Sequence, residues 1–276
     1  MLAAETGPIA FPILSALILM PFIGAVLVAL LPKSRPEYPK IVALMASTAT
    51  GAMSIWLMTT FDSSDAGFQF VSMHTWIDAW GISWHLGVDG ISLFLVVLTG
   101  ILFPLAILAV DPHHDEKPYL VWLLILQAGV MGSFLSLDLF MFFVFFEIVL
   151  VPMYFLIAGW GYEKRVYAAM KFFLYTMFGS AFMLVGLIAT VVIASREIGY
   201  ITFDLTIIAE QANFAASTGR WLFFAFAIAF AVKVPIFIQG GIHGNEYEGV
   251  DAAMQLIEKL ATTPAGVDAE VDEILD

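Results

Sequence analysis

"DLFMFFVFFEIVLVPMYFLIAGWGY", residues 138–162, decides the class of fold. From Leu139 to Tyr162 it carries a single charge, Glu147. About 20 helical residues cross the hydrocarbon core of a bilayer, so the run is long enough to span. An acid at mid-bilayer costs about 3 kcal/mol even on the lenient insertion scale. The rest of the chain shows the same apolar character. Of its 276 residues 61% are hydrophobic and 13% charged, with a mean hydropathy of +0.93. Soluble domains run nearer half apolar and a quarter charged, so the composition is that of an integral membrane protein.

Seven stretches are long and apolar enough to span, near 9–31, 41–60, 90–110, 118–136, 139–160, 168–194 and 221–241. They are continuous runs, not the short alternating strands of a barrel. The expected fold is all-α, a polytopic membrane bundle of about seven transmembrane helices. The first run, Ile9 to Leu31, has no basic residue before it and is too long for a signal-peptide core, so it reads as a retained span. Residues 1–241 form the transmembrane unit. Residues 242–276 read as an acidic, soluble helical tail; nine acids against Lys259 in 243–276 supply −8 of the net −13. Two short amphipathic helices broken at Pro264 are expected there.

Several chemistries are excluded. No cysteine is present, so there is no disulfide, thiolate nucleophile or cysteine metal site. None of the five histidines is spaced as a helical metal-ligand pair, and no phosphate-binding or dinucleotide glycine motif occurs. The negative balance rules out a basic nucleic-acid surface for the chain as a whole.

Basic residues set the orientation. Lys33, Arg35, Lys40, Lys117, Lys164, Arg165 and Lys171 fall on one side, against Arg196 and Arg220 on the other. The N-terminus is therefore expected outside, as is the 61–89 segment, with Trp76, Trp80 and Trp84 at headgroup level.

A second ionisable group is sunk in an apolar run, Lys233 in "WLFFAFAIAFAVKVPIFIQGG", 221–241. It lies about 18 Å along the helix from Trp221, beyond easy snorkelling. Intramembrane ionisable residues normally face a bundle interior and pair. One account is that Glu147 and Lys233 tie two helices together. The other is an ion or proton relay. A buried carboxyl favours its neutral form and a neighbouring ammonium its charged form, so moving the lysine would drive proton uptake or release. Lysine suits this task, whereas arginine stays protonated. Pro152 lies five residues after Glu147 and Pro235 two after Lys233. Each frees a backbone carbonyl one turn earlier, so local hydration or a helix break is expected beside each charge; a packing kink is the alternative. Tyr154 shares the Glu147 face and could hydrogen-bond it, and Lys171 is either an orientation signal or part of an internal relay. Asp89 and Asp138 are expected as helix N-caps, and His113 and His114 as solvated loop residues.

Several strings together resemble a known family. "HLGVDGISLFLVVLTGILFPLAIL" (85–108), "FFVFFEIVLVPMYFLIAGWG" (142–161), "RVYAAMKFFLYTMFGSAFMLVG" (165–186) and "FFAFAIAFAVKVPIF" (223–237) are similar to the third, fifth, sixth and broken seventh helices of a respiratory complex I chain. That chain is the antiporter-like M chain of bacterial NADH:quinone oxidoreductase, the counterpart of mitochondrial NADH dehydrogenase subunit 4. Sister antiporter-like chains and multisubunit sodium/proton antiporters share the Glu and Lys. The resemblance implies a proton-translocating subunit with Glu147 and Lys233 as its relay, partnered by other membrane subunits in a bacterial inner membrane or equivalent energy-coupling membrane. It implies no cofactor on this chain, with NADH, FMN, iron–sulfur clusters and quinone on other subunits. The alternatives are a subunit of a sodium/proton antiporter or membrane-bound hydrogenase, or an inactive fragment. The match stops at Phe237, where "IQGGIHGNEYEGVDAAMQ" replaces the family's "HTWLPDAH" string and further helices. A truncated or frame-altered M chain with a tail of other origin is expected, or a half-length variant completed by a partner chain.

Overall fold

The computed structural model describes residues 12–32, 37–109, 112 and 115–240, the last seven as backbone only. The expected acidic tail and the two loop histidines, His113 and His114, lie outside the described residues. The helices are α1 (Ile13–Leu30), α2 (Glu37–Thr60), α3 (Gly90–Ala109), α4 (Glu116–Leu135), α5 (Leu139–Ile148), α6 (Leu150–Trp160), α7 (Arg165–Ile198), the short α8 (Leu205–Gln211) and α9 (Ala216–Gly240). Among the described residues six spans are long and apolar enough to cross a membrane, α5 and α6 counting as one. Helix α9, with 25 residues, occupies the seventh expected stretch. The sixth helix is longer than expected, 34 residues in place of 168–194.

Helix α1 packs between α2 and α4, α3 lies against α2, and α7 packs on both α6 and α9. In α2 the buried stripe is small and polar: Ala43, Ser47, Thr50, Gly51 and Ser54. Small residues let membrane helices approach closely, and Gly51 sits directly against the Gly100 carbonyl of α3. Two hydroxyls on the stripe bond back to their own helix, Thr50 to the Ala46 carbonyl at 3.0 Å and Ser54 to that of Gly51 at 2.7 Å.

The fold is not purely α. Within the expected outer loop, β1 (Gln69–Ile77) and β2 (Ile82–Val88) form an antiparallel hairpin pairing Met73 with His85 and Thr75 with Ser83. Gly81 makes the turn with φ +63°, a left-handed conformation that only glycine adopts at no steric cost. Trp76 and Trp80 are exposed, and Trp84 is partly buried. Its indole N–H donates to Ser15 Oγ at 3.0 Å and its ring meets Phe145 edge-on. Trp84 thus packs, partly buried, against the apolar cluster that includes Phe145.

A buried polar node ties this hairpin to the helix ends. Asp138 caps α5, accepting the N–H groups of Phe140 and Met141, and its other oxygen accepts Ser83 N–H at 2.9 Å. Asp204 caps α8 through the Thr206 and Ile207 N–H groups. His85 Nδ1 lies 2.9 Å from Asp204 Oδ2 without the alignment of a hydrogen bond, a close polar contact. Backbone bonds from Leu137 N to the His85 carbonyl and from Leu205 N to the Leu137 carbonyl complete the junction. Three segments far apart in sequence are thereby fixed where α5 begins. Asp89, the other expected cap, accepts the Ile91 and Ser92 N–H groups of α3.

Candidate functional site: a buried glutamate–lysine pair

Glu147 lies near the end of α5, two residues before the hydrogen-bond ladder is interrupted at Val149. Pro152 has no N–H to give the Ile148 carbonyl, which accounts for the interruption. Val149 keeps φ −59° and ψ −33°, so the chain stays on a helical path and only the ladder is broken. Beside Lys233 the outcome differs: α9 runs without a break through Pro235 to Gly240. The expected break at that proline is absent among the described residues, because a helical backbone tolerates a proline once neighbouring groups take up the freed carbonyl.

The two ionisable groups meet. Lys233 Nζ donates to Glu147 Oε1 at 2.8 Å. Lys233 is 5% exposed, and the Glu147 side chain is 24% exposed. The hydroxyl of Ser180, on α7, donates to the same carboxylate oxygen and lies 3.1 Å from the Thr176 carbonyl. The ammonium also stands over the Phe146 ring, 3.7 Å from its centroid. Three helices therefore converge: α5 supplies the acid and the ring, α7 the hydroxyl, α9 the amine. Charge-assisted bonds of this kind are short and strong, and a buried ammonium left without them would be costly.

The other sequence candidates stand apart. Tyr154 does not bond Glu147; its hydroxyl donates to Met170 Sδ at 3.7 Å and its ring packs edge-on against Phe155 and Phe173. Seven helical residues are about 10 Å of rise, too far for the ring to fold back. Lys171 is exposed and lies nine residues before Ser180 on α7, about 14 Å along the axis, with interactions of its own. Ser180 and Phe146 were not singled out in the sequence, where a serine in an apolar helix and one phenylalanine among many carry no signal. Among the described residues no cluster of acids and histidines could hold a metal ion.

An apolar helix bundle with an acid and an amine paired between its helices is the arrangement of a polytopic membrane protein. Residues 136–239 match the family described as NADH:quinone oxidoreductase/Mrp antiporter, TM. Over 233 residues the chain is 40% identical to NADH-quinone oxidoreductase subunit M of Rickettsia felis, covering 82% of this chain and 46% of that one. It is also 40% identical to NADH-ubiquinone oxidoreductase chain 4 of Arabidopsis thaliana, over 81% of this chain and 44% of the relative. The chain thus spans under half the length of these curated relatives. Its fold is like that of respiratory complex I from Thermus thermophilus with bound NADH, at TM-score 0.67 and 24% identity over 81% of this chain and 44% of that one. It is likewise similar to the Mrp complex from Dietzia, at TM-score 0.65 and 17% identity over 80% of this chain and 23% of that one. The chain is an integral membrane protein related to the M and chain 4 subunits.

Proposed function

We propose that the chain translocates protons as an antiporter-like membrane subunit of an NADH:quinone oxidoreductase, with Glu147 and Lys233 as the pair on the uptake side. The contact that carries this reading is the 2.8 Å approach of Lys233 Nζ to Glu147 Oε1 between two apolar helices. A proton taken up by the carboxylate cancels its attraction for the ammonium. A lysine freed in this way can turn toward a further site, and its return expels the proton. Such a switch needs two states with different contacts, and a carboxyl and an amine are both able to change charge. Similarity to M and chain 4 subunits supports the placement in a respiratory complex. Electron transfer, with NADH, FMN, iron–sulfur clusters and quinone, would then sit on partner subunits and drive the pair from a distance. The onward path from Lys233 would be completed by groups beyond the described residues or on a partner. Residues 1–241 would act as one transmembrane unit, and 242–276 as a soluble appendage.

Glu147→Gln keeps shape and removes the titration. In the assembled complex, proton translocation per NADH oxidised is expected to fall at least about tenfold, a difference of about 1.4 kcal/mol in barrier. An assembled variant that pumps at the original rate sinks the assignment. The family's description also covers Mrp antiporters, which favours sodium/proton exchange as the second reading. Translocation that requires sodium, in vesicles lacking NADH oxidation, would favour that reading over the first.

A further inference from the structure

Lys233 has two partners of different kinds. One is the Glu147 carboxylate, whose charge changes when it takes up a proton. The other is the face of Phe146, 3.7 Å from ammonium to ring centroid, whose attraction does not. Phe146 immediately precedes Glu147, so acid and ring reach one ammonium from adjacent positions of α5. The ring is held in place: it stacks on Phe142 at 5.4 Å and meets Phe230 of α9 edge-on at 6.1 Å. An ammonium has three donors, and at 5% exposure Lys233 is largely shielded from bulk water. The negative ring face serves a cation in this position, most strongly when it is desolvated.

We propose that Phe146 is a positioning residue whose ring is a second seat for the Lys233 ammonium, holding it charged at the level of the pair when the Glu147 carboxylate is neutralised. This rests on the relay reading of Glu147 and Lys233. The ring turns an all-or-none ion pair into a handover: one partner of the ammonium titrates and the other is constant. Phe230 lies on α9 three residues before Lys233, so the ring that seats the ammonium also packs on the helix that carries it.

The test uses the chain in its assembled complex. Phe146 is replaced by mono-, di- and trifluorophenylalanine, which withdraw electron density from the ring face at nearly constant volume, and separately by Tyr and Leu. Proton translocation per NADH is expected to fall stepwise with each fluorine, by about 3- to 30-fold across the series. Phe146→Tyr should retain it. Trifluorination of Phe178, an exposed residue of α7, should change nothing. Equal translocation across the fluorinated series overturns the proposal, including the case in which Phe146→Leu alone is impaired, since the ring would then only fill space. If Phe146→Leu fails to assemble, the fluorinated series still decides. Glu147→Gln separates the two levels. Loss of pumping in that variant with a flat fluorine series overturns the seat and leaves the relay; unchanged pumping in that variant overturns both.

Discussion

Gly179 of α7 lies so close to Val232 of α9 that a methyl group on it would stand 2.8 Å from Val232 Cγ1. Seven residues on, Gly186 meets Ala225 at 3.2 Å by the same measure. Two small residues on one face let the two backbones approach. Gly179 adjoins Ser180 and Val232 adjoins Lys233, so the close approach brings hydroxyl and amine to the same carboxylate oxygen. Gly179→Leu is therefore expected to push α9 outward and part the pair. Spin labels on α7 and α9 would report the longer distance, and translocation would fall about 10- to 100-fold, the scale of a 1 Å misplacement. An unchanged distance in the variant would show that packing here does not set the pair.

Ser180→Ala removes a donor to the carboxylate and leaves volume nearly intact. Hydrogen bonds to charged groups contribute about 1.5–3 kcal/mol, so a fall in translocation of about 10- to 100-fold is expected, with Ser180→Thr restoring it. If the alanine variant pumps like the original chain, the hydroxyl is a bystander.

Gly81 holds φ +63° and its Cβ position is filled by the Ile201 carbonyl. Gly81→Ala takes on the left-handed cost, about 1–2 kcal/mol, and also displaces the 201–203 segment, where Phe203 N donates to the Gly81 carbonyl at 3.2 Å. A lower melting temperature in detergent and faster proteolysis between α7 and α9 are expected. A variant as stable as the parent would mean that the hairpin is not held by this junction.

Asp204 is pushed up by burial but held down more strongly by the His85 ring, the Thr206 hydroxyl and the Ile207 N–H, with a net pKa of about 2. The unfolded value is about 3.9. A depressed folded value means that the stabilisation is full above about pH 4 and is lost as pH falls through about 2. About 2–3 kcal/mol depends on this group. Thermal melts between pH 2 and 5 should show a steep loss in the parent and a shallower one in Asp204→Asn, which is less stable at neutral pH. Parallel pH curves for the two would remove Asp204 from the account.

Much of the membrane architecture is legible without coordinates. Long apolar runs such as Gly90–Ala109 can only satisfy their backbone groups as helices in lipid, and the cost of burying Glu147 and Lys233 marks both as residues that need partners. Other features were hidden. The Gln69–Val88 hairpin was masked because its three tryptophans look like interfacial anchors, a role that says nothing of the strand pairing or of the bond from Trp84 to Ser15. Tyr154 shares a helix face with Glu147, yet its ring is drawn to α7 by aromatic packing. The proline beside Lys233 gave no break, and the one after Glu147 interrupted the ladder without turning the chain.

By itself, the order of residues determined that this chain is an apolar helix bundle with an acid and an amine sunk in two of its helices. Hydropathy and burial cost are properties of single segments and can be read one segment at a time. Only the tertiary structure decided that the acid and the amine share one hydrogen bond, that Ser180 and Phe146 stand beside them, and that Asp138, His85 and Asp204 join at the start of α5. These are relationships between residues 33 to 119 positions apart, set by where small side chains allow helices to approach, and no local pattern encodes that distance.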